Sequence, residues 1–142
     1  MAGLLDVNVL VAIVVPEHQH HDVALAWYTS DANQVWASCA VTELGVIRVC
    51  AQLPGGTWPP ERTADQLLLF AADGRVHEFW PDASSPALMP DVRTAQTAKQ
   101  ISDRYLLGLA RRHSGQLVTF DSGIAATGGD DVIHLQPPAR NE

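Results

Sequence analysis

The sequence predicts an α/β fold: a parallel sheet with helices on both faces. Residues 4–12 form an almost continuous apolar run, which suits a strand that is buried on both faces. Further short strand patterns alternate with helical patterns along the chain, and parallel strands need such crossover helices. With no internal repeat and no linker, the sequence predicts a single domain over 1–142, with a core at 1–136 and a tail at 137–142.

Hydrophobic periodicity and the positions of Gly and Pro give the individual elements. Strands are predicted near 4–6 and at 34–38, 76–80, 117–120 and 132–135. Helices are predicted at 7–15, 23–30, 39–52, 61–73 and 101–110, the last with Ser102 as its N-cap. Segments 54–60 and 81–90 carry repeated Pro or Gly and are predicted to be irregular.

Composition restricts the class of protein. Hydrophobic content of 46% with 18% charged residues is ordinary for a globular domain. No apolar run reaches the roughly 18 residues that span a bilayer, and the N-terminus lacks the pattern of a signal peptide, so a cytoplasmic protein is predicted. Cys39 and Cys50 fall in one predicted helix, about 16 Å apart along its axis, so they are predicted to be packing residues, not a disulfide.

The formal net charge of −7 has the wrong sign for a protein that binds nucleic acid through a broad basic surface. It counts against RNA or DNA partners unless acidic residues cluster around a metal and basic residues gather elsewhere. The basic residues are indeed concentrated in one part of the chain: Arg93, Lys99, Arg104, Arg111 and Arg112.

Four carboxylates are predicted to share the carboxyl edge of the sheet. Asp6 and Asp121 follow apolar strands, whereas Glu43 and Asp103 are predicted in the first turns of helices. Each alone can be explained as an N-cap or a helix-dipole partner. Together they would repel one another unless a cation held them. Oxygen ligands suit Mg²⁺ or Mn²⁺, and the chemistry indicated is phosphoester hydrolysis.

The segments around these four residues resemble the acidic motifs of PIN-domain ribonucleases, in order and in spacing. They read Leu-Leu-Asp6-Val-Asn8-Val-Leu, Val-Thr42-Glu43-Leu-Gly, Ile-Ser-Asp103-Arg-Tyr-Leu-Leu-Gly-Leu-Ala and Val-Thr119-Phe-Asp121-Ser-Gly. The length is similar to that of the VapC toxins of bacterial toxin–antitoxin pairs. The resemblance implies a five-strand parallel sheet, a homodimer, RNA cleavage that depends on Mg²⁺ or Mn²⁺, and a VapB-type antitoxin that covers the active site.

The resemblance also implies roles for individual residues. Asp6 and Asp103 would be direct metal ligands, and Glu43 and Asp121 would complete the pocket directly or through water. Asn8 and Thr42 would orient water or ligands. Two arginines were candidates for substrate binding, each with a structural alternative: Arg104 either contacts phosphate or pairs with a neighbouring acid, and Arg112 either binds RNA or complements its helix dipole.

The sequence leaves three alternative functions open to comparison. A PIN fold that has lost catalysis and serves as a binding module is the main alternative, and the presence of all four acids argues against it. A phosphoacceptor receiver domain needs a lysine at a late strand end, whereas Lys99 precedes a helix. A structure-specific DNA nuclease of this family needs a helical arch insertion for which 142 residues leave no room.

Histidines near the start of a predicted helix and three of the tryptophans can also be placed from the sequence. His18, His20 and His21 fit either a metal site or a solvated helix start, and the lack of a further ligand nearby favours the helix start. Trp36 and Trp80 fall in predicted strands and are expected in the core, whereas Trp58 lies in the Pro/Gly loop and is expected to be exposed.

Overall fold

The computed structural model describes residues 1–31, 34–82 and 84–136. Its five strands form one sheet in the order β3-β2-β1-β4-β5, and every neighbouring pair is parallel. The strands are β1 (Gly3–Leu5), β2 (Trp36–Ser38), β3 (His77–Phe79), β4 (Gln116–Thr119) and β5 (Val132–His134). The predicted parallel sheet is confirmed: β1 and β4 have the predicted lengths but start one residue earlier, whereas β2, β3 and β5 are one or two residues shorter than predicted. The predicted tail at 137–142 lies outside the described residues.

Helices connect the strands. They are α1 (Val7–Val14), α2 (His21–Thr29), α3 (Ala40–Ala51), α4 (Pro60–Ala72), α5 (Pro90–Arg93), α6 (Ala98–Arg112) and α7 (Ser122–Gly128). The irregular segments contain 3₁₀ turns at Pro54–Gly56 and Pro86–Leu88, and a third follows α7 at Gly129–Asp131. None of the described helices is long and apolar enough to cross a membrane.

The two faces of the sheet pack into separate cores, because successive strand residues point to opposite sides. Leu5, Trp36 and Val118 belong to the core formed with α1 to α4. Their neighbours Leu4 and Leu117 belong to the core beneath α6. Burial on both faces explains why the strands read as continuous apolar runs.

The longest helix begins earlier than predicted. The sequence placed its start near Ile101 with Ser102 as the N-cap, but α6 starts at Ala98 and Thr97 is the cap, accepting a hydrogen bond from the Gln100 backbone N–H at 3.2 Å. Both Thr97 and Ser102 are suitable capping residues. The consequence is that Asp103 lies in the second turn of α6, not in its first turn as predicted.

Two of the three predictions for tryptophan burial are confirmed. Trp36 and Trp80 are buried, as expected. Trp58 is also buried, at 5% exposure, so the expectation of an exposed side chain was wrong. Its ring packs against the α1–α4 core, and the Arg62 guanidinium lies 3.8 Å above the ring centroid. Cys39 and Cys50 are free and buried, as predicted.

A candidate active site at the carboxyl edge of the sheet

An acidic cavity of about 360 Å³ opens at the carboxyl edge of the sheet. The chain runs from β1 outward to β2 and β3, then returns to place β4 on the other side of β1. The β1/β4 boundary is therefore a topological switch point, where open α/β sheets bind ligands. The polar side chains that line the acidic cavity are Asp6, Asn8, His18, Lys99, Asp103 and Asp121.

Asp6 is both a helix cap and a wall of the cavity. It follows β1 directly, and its Oδ1 accepts a hydrogen bond from the Val7 backbone N–H at 2.8 Å, which makes it the N-cap of α1. Its Oδ2 accepts one from the Thr119 hydroxyl at 2.7 Å. Burial raises the pKa of Asp6, and the Asp121 carboxylate adds to that shift, against the lowering effect of these two hydrogen bonds. The two roles considered for Asp6 are thus compatible in one side chain.

Thr119 is a residue of the site that the sequence reasoning quoted only as part of a motif. Its hydroxyl donates to Asp6, accepts from the Asp121 backbone N–H at 3.0 Å and lies 3.5 Å from Asn8 Nδ2. Its side chain is fully buried at the end of β4. A polar residue that closes an apolar strand two positions before Asp121 was the available signal. Thr119 joins the loop after β1 to the loop after β4.

We expect Thr119→Val to destabilise the protein by about 2 kcal/mol, because the valine leaves a buried carboxylate oxygen and a backbone N–H without their partner. Thr119→Ser keeps the hydroxyl and loses one methyl group, for an expected cost of about 1 kcal/mol. Denaturant unfolding of both variants measures the difference. A Thr119→Val variant as stable as the parent protein, with only Thr119→Ser destabilised, would show that the methyl group, not the hydroxyl, is what this position supplies.

Asp121 is held in place from two directions. As the N-cap of α7, its Oδ1 accepts hydrogen bonds from the backbone N–H groups of Gly123 and Ile124, at 2.7 and 3.3 Å. Its Oδ2 forms an ion pair with the Lys99 ammonium group. That lysine is the main reason the pKa of Asp121 is lowered. Lys99 lies four residues before Asp103 on α6, so both project from the same helix face. The prediction that α6 begins at Ile101 left Lys99 outside the helix and outside the candidate site.

Asp103 is the least restrained of the three aspartates. It is partly exposed, and no hydrogen bond to its carboxylate is found among the described residues. Partial burial, then the charges of Asp6 and Asp121, raise its pKa to about 6, against the opposing effect of Lys99. Burial is thus the main cause of the raised pKa of Asp103, and the two neighbouring carboxylates add to it.

Glu43, the fourth predicted acid, is not brought into this cluster. Its Oε2 accepts a hydrogen bond from the Ser38 hydroxyl at 2.6 Å, and His77 Nε2 lies 2.8 Å from the same hydroxyl. Glu43, Ser38 and His77 line a separate cavity of about 40 Å³ on the β2/β3 side of the sheet. The structure therefore unites three of the four predicted acids and places the fourth beside a serine and a histidine.

Two other predicted site residues make structural contacts. Thr42 is fully buried, and its hydroxyl contacts the backbone N–H and carbonyl of Cys39 at the start of α3. Arg104 donates to the Asp91 carbonyl at 2.9 Å and to the Thr94 hydroxyl at 3.1 Å, so it fastens α5 to α6 and does not pair with a neighbouring acid side chain. Arg104 also lines a second cavity of about 250 Å³ together with Asp103 and Asp121, so its contact with phosphate, like the orienting role of Thr42, stays a prediction.

Arg112 does not lie at the acidic cavity. It is nine residues after Asp103 and ends α6, which puts it about 13 Å along the helix axis from that aspartate. Its position in the last turn fits the alternative of complementing the helix dipole, and its contact with substrate stays a prediction. Asn8, in contrast, does line the cavity, where its Oδ1 lies 3.5 Å from the Phe120 backbone N–H.

The histidines between α1 and α2 are more than a solvated helix start. His21 Nδ1 donates to the Ala12 carbonyl at 2.7 Å. The His20 ring packs against Phe120 with 5.2 Å between centroids, and His18 reaches the acidic cavity. The alternative of a metal site is not supported, because the described residues contain no group of three or more His, Cys, Asp or Glu side chains close enough to hold a metal.

Comparison with known proteins identifies the family of this chain. The PIN domain family model matches residues 3–130. The chain belongs to the PIN-domain family. Ribonuclease VapC44 of Mycobacterium tuberculosis is 41% identical over 129 residues, covering 89% of this chain and 91% of that protein. Ribonuclease VapC29 of the same organism is 41% identical over 133 residues, covering 94% and 96%.

A more distant relative matches almost the whole length. Ribonuclease VapC39 of Mycobacterium tuberculosis is 32% identical over 141 residues, which covers 95% of this chain and 99% of that protein. The resemblance to VapC-type PIN domains, first indicated by four short acidic motifs, is thereby confirmed over the full fold. The acidic cavity occupies the edge of the PIN domain where the motifs of Asp6, Asp103 and Asp121 converge.

Proposed function

We propose that this protein is a metal-dependent endoribonuclease that hydrolyses RNA phosphodiester bonds, and that it is the toxin of a type II toxin–antitoxin pair. The observation that carries the proposal is the convergence of Asp6, Asp103 and Asp121 on one cavity from three separate elements of the fold. The relatives named as ribonucleases supply the substrate class.

The donor set of the acidic cavity fits a magnesium or manganese ion. Its carboxylates are oxygen ligands, and a cation, the Lys99 ammonium group, already lies against one of them. The described residues do not form a closed cage of three acidic or imidazole side chains. Mg²⁺ does not need one, because it retains several waters and is commonly bound by one or two carboxylates together with substrate phosphate. Asp6 and Asp103 would hold the ion, with Asp121 beside them.

When bound, such an ion would polarise the phosphate and lower the pKa of a water bound to it, which makes that water a better nucleophile at neutral pH. The residues of the chain prepare the site for it. Asp6 is fixed in orientation by Val7 and Thr119, whereas Asp103 keeps its oxygens free for a ligand. Lys99 neutralises Asp121 and reduces the repulsion that a phosphate would meet at the cavity.

Glu43 remains a predicted member of the site. Because its carboxylate bonds to Ser38 in this structure, we propose it only as a neighbour of the acidic cavity and not as a metal ligand. The alternative function is a PIN fold without catalysis that binds RNA or protein. Such a module would not require the three acids, yet all three are in place, so no feature of the described residues favours it.

The proposed partners are an RNA substrate, a VapB-type antitoxin and a second copy of the chain, in the cytoplasm. The antitoxin and the homodimer rest on the family resemblance. The surface gives the antitoxin some support. A depression of about 520 Å³ extends from Asp6 and Asp103 to α3, where Val41 and Leu44 are 40% and 69% exposed. An apolar surface next to an active site suits a protein partner.

The test is cleavage of a mixed single-stranded RNA pool by the purified, antitoxin-free protein. We expect cleavage with Mg²⁺ or Mn²⁺, loss of cleavage with EDTA, and recovery when excess Mg²⁺ is added back. Internal cleavage of a 3′- and 5′-blocked RNA separates an endonuclease from an exonuclease. A folded protein that leaves every RNA intact with either metal would overturn the proposal in favour of the binding module.

A further inference from the structure

His18 lies at the mouth of the acidic cavity, outside the four acidic motifs. It belongs to the short connection between α1 and α2 and lines the same cavity as Asp6, Asp103 and Asp121. The connection is fixed on both sides: His21 is bonded to the carbonyl of Ala12, and the His20 ring packs against Phe120. The His18 side chain is thus presented to the cavity by a well-anchored segment.

The hydrogen bonding of His18 determines its tautomer. Its Nδ1 accepts a hydrogen bond from the His20 backbone N–H at 3.0 Å. A neutral imidazole has one N–H, so a proton-free Nδ1 leaves the proton on Nε2. Burial, followed by the neighbouring charges of His20 and His21, lowers the pKa of His18, which favours this neutral form. The Nε2–H group is therefore a hydrogen-bond donor at neutral pH without carrying a charge.

A phosphate entering the acidic cavity needs such a donor. Among the described side chains that line it, only Asn8, His18 and Lys99 carry N–H groups. Lys99 is paired with Asp121, and Asn8 faces Thr119 and the Phe120 backbone. No hydrogen-bond partner for His18 Nε2 is found in the described part of the chain. It is the donor left available for a ligand.

We propose that His18 is a substrate-binding residue, whose Nε2–H donates a hydrogen bond to a phosphate oxygen of the RNA that occupies the acidic cavity. The inference rests on the proposed function, because RNA is the ligand it names. The role is recognition of the RNA backbone: His18 holds the strand against the aspartates through a neutral donor. Because the donor is neutral, it does not add a second fixed cation that would compete with a metal ion for the carboxylates.

Two conservative substitutions separate this role from a structural one. In His18→Gln the amide nitrogen stands near the position of Nε2 and keeps the donor. In His18→Asn the amide oxygen stands near the position of Nδ1 and keeps the acceptor for the His20 backbone N–H. His18→Ala removes both groups, and Gln19→Ala, an exposed neighbour in the same connection, is the matched control.

The measurements are Mg²⁺-dependent cleavage of a short single-stranded RNA of random sequence, and the Kd for the same RNA in an Asp6→Asn background that prevents turnover. We expect His18→Ala and His18→Asn to raise KM and Kd about tenfold or more, as for loss of one hydrogen bond to a charged group. His18→Gln should recover most of the affinity, and Gln19→Ala should match the parent protein.

Two results would overturn the inference while leaving the proposed function intact. One is unchanged RNA affinity in His18→Ala when the parent protein cleaves RNA. The other is rescue by Asn but not by Gln, which would assign His18 to holding the α1–α2 connection. If the parent protein neither cleaves nor binds RNA, the proposed function fails and this inference fails with it. Thermal unfolding of each variant identifies any loss that comes from folding.

Discussion

Replacement of Asp6 by Asn is expected to lower the rate of RNA cleavage by about a thousandfold, a loss comparable to removing a preorganised electrostatic group from an active site. Asp6 is the most buried of the three aspartates, at 8% exposure, and both of its oxygens are fixed by hydrogen bonds. Such a carboxylate offers a metal a full charge in a defined position. An amide offers no charge, so the metal ion would lose its strongest anchor.

The same substitution is expected to leave the fold intact. Asn caps helices as well as Asp does, so the hydrogen bond from the Val7 backbone can be retained. The Thr119 hydroxyl can rotate to accept a hydrogen bond from the new amide. Removing a charge whose pKa is raised by burial also relieves a desolvation cost. We therefore expect the melting temperature of Asp6→Asn to equal or exceed that of the parent protein.

The matched control is Asp65→Asn on the exposed face of α4, which makes the same chemical change away from the cavity. Cleavage of single-stranded RNA with Mg²⁺, followed over time, compares the three proteins. Cleavage by Asp6→Asn at a rate within a few fold of the parent protein would remove Asp6 from the active site. It would also leave the acidic cavity without its central residue.

Much of the fold could be predicted from the sequence because its determinants are local. Leu4 and Leu5 belong to a run that is apolar throughout, and only a strand covered on both faces buries such a run. The positions of Asp6 and Asp121 followed from the same reasoning, since a residue that directly follows a buried parallel strand must lie at the carboxyl edge of the sheet. These parts of the site depend on strand ends, which the pattern locates within a residue or two.

Residues carried by helices were harder to place. The direction in which a helical side chain points depends on where the helix starts, and two good capping residues, Thr97 and Ser102, compete for the start of α6. Choosing the later one hid Lys99 from the candidate site. Glu43 lies apart from the acidic cavity for a different reason: its carboxylate accepts a hydrogen bond from Ser38, a tertiary contact between α3 and β2 that spacing alone does not reveal.

Charge alone does not reveal which groups the arginine side chains contact. Arg104 and Arg112 lie on the same helix as Asp103 and were therefore associated with the site. The structure uses Arg104 to satisfy the backbone of α5 and places Arg112 at the far end of α6. His18 shows the converse, since it belongs to none of the acidic motifs in sequence and yet lines the acidic cavity.

Replacement of Asp103 by Asn is expected to abolish metal-dependent cleavage and, at the same time, to stabilise the metal-free protein above pH 6. The pKa of Asp103 is raised from 3.8 to about 6. For a carboxyl group with a raised pKa, the folded state is favoured while the group is protonated, and this contribution is lost as the pH rises through about 6. At pH 7 to 8 the ionised side chain therefore opposes folding, and Asn removes that opposition.

The expected size follows from the shift in pKa. A rise from 3.8 to about 6 corresponds to at most about 3 kcal/mol, and since Asp103 is partly exposed, solvent screening reduces the expected gain to about 1 kcal/mol. In a domain of this size that gain raises the melting temperature by about 3 °C. Below pH 4 the parent protein and the variant should have the same stability, because both side chains are then uncharged.

Metal addition reverses the order of stability, and this separates the electrostatic account from a general stabilising effect of Asn. A bound divalent cation stabilises the folded state in proportion to its occupancy, so Mg²⁺ or Mn²⁺ should raise the melting temperature of the parent protein at pH 7.5 but not that of Asp103→Asn.

Thermal unfolding at several pH values, with EDTA or with metal, measures both effects. A variant that gains no stability in EDTA at pH 7.5 would show that burial and the neighbouring aspartates do not raise the pKa of Asp103 in the metal-free protein. A variant that is stabilised by metal as much as the parent protein would show that the ion, if it binds, does not use Asp103. The two results are independent, because the first concerns the cluster without metal and the second concerns the ligand set.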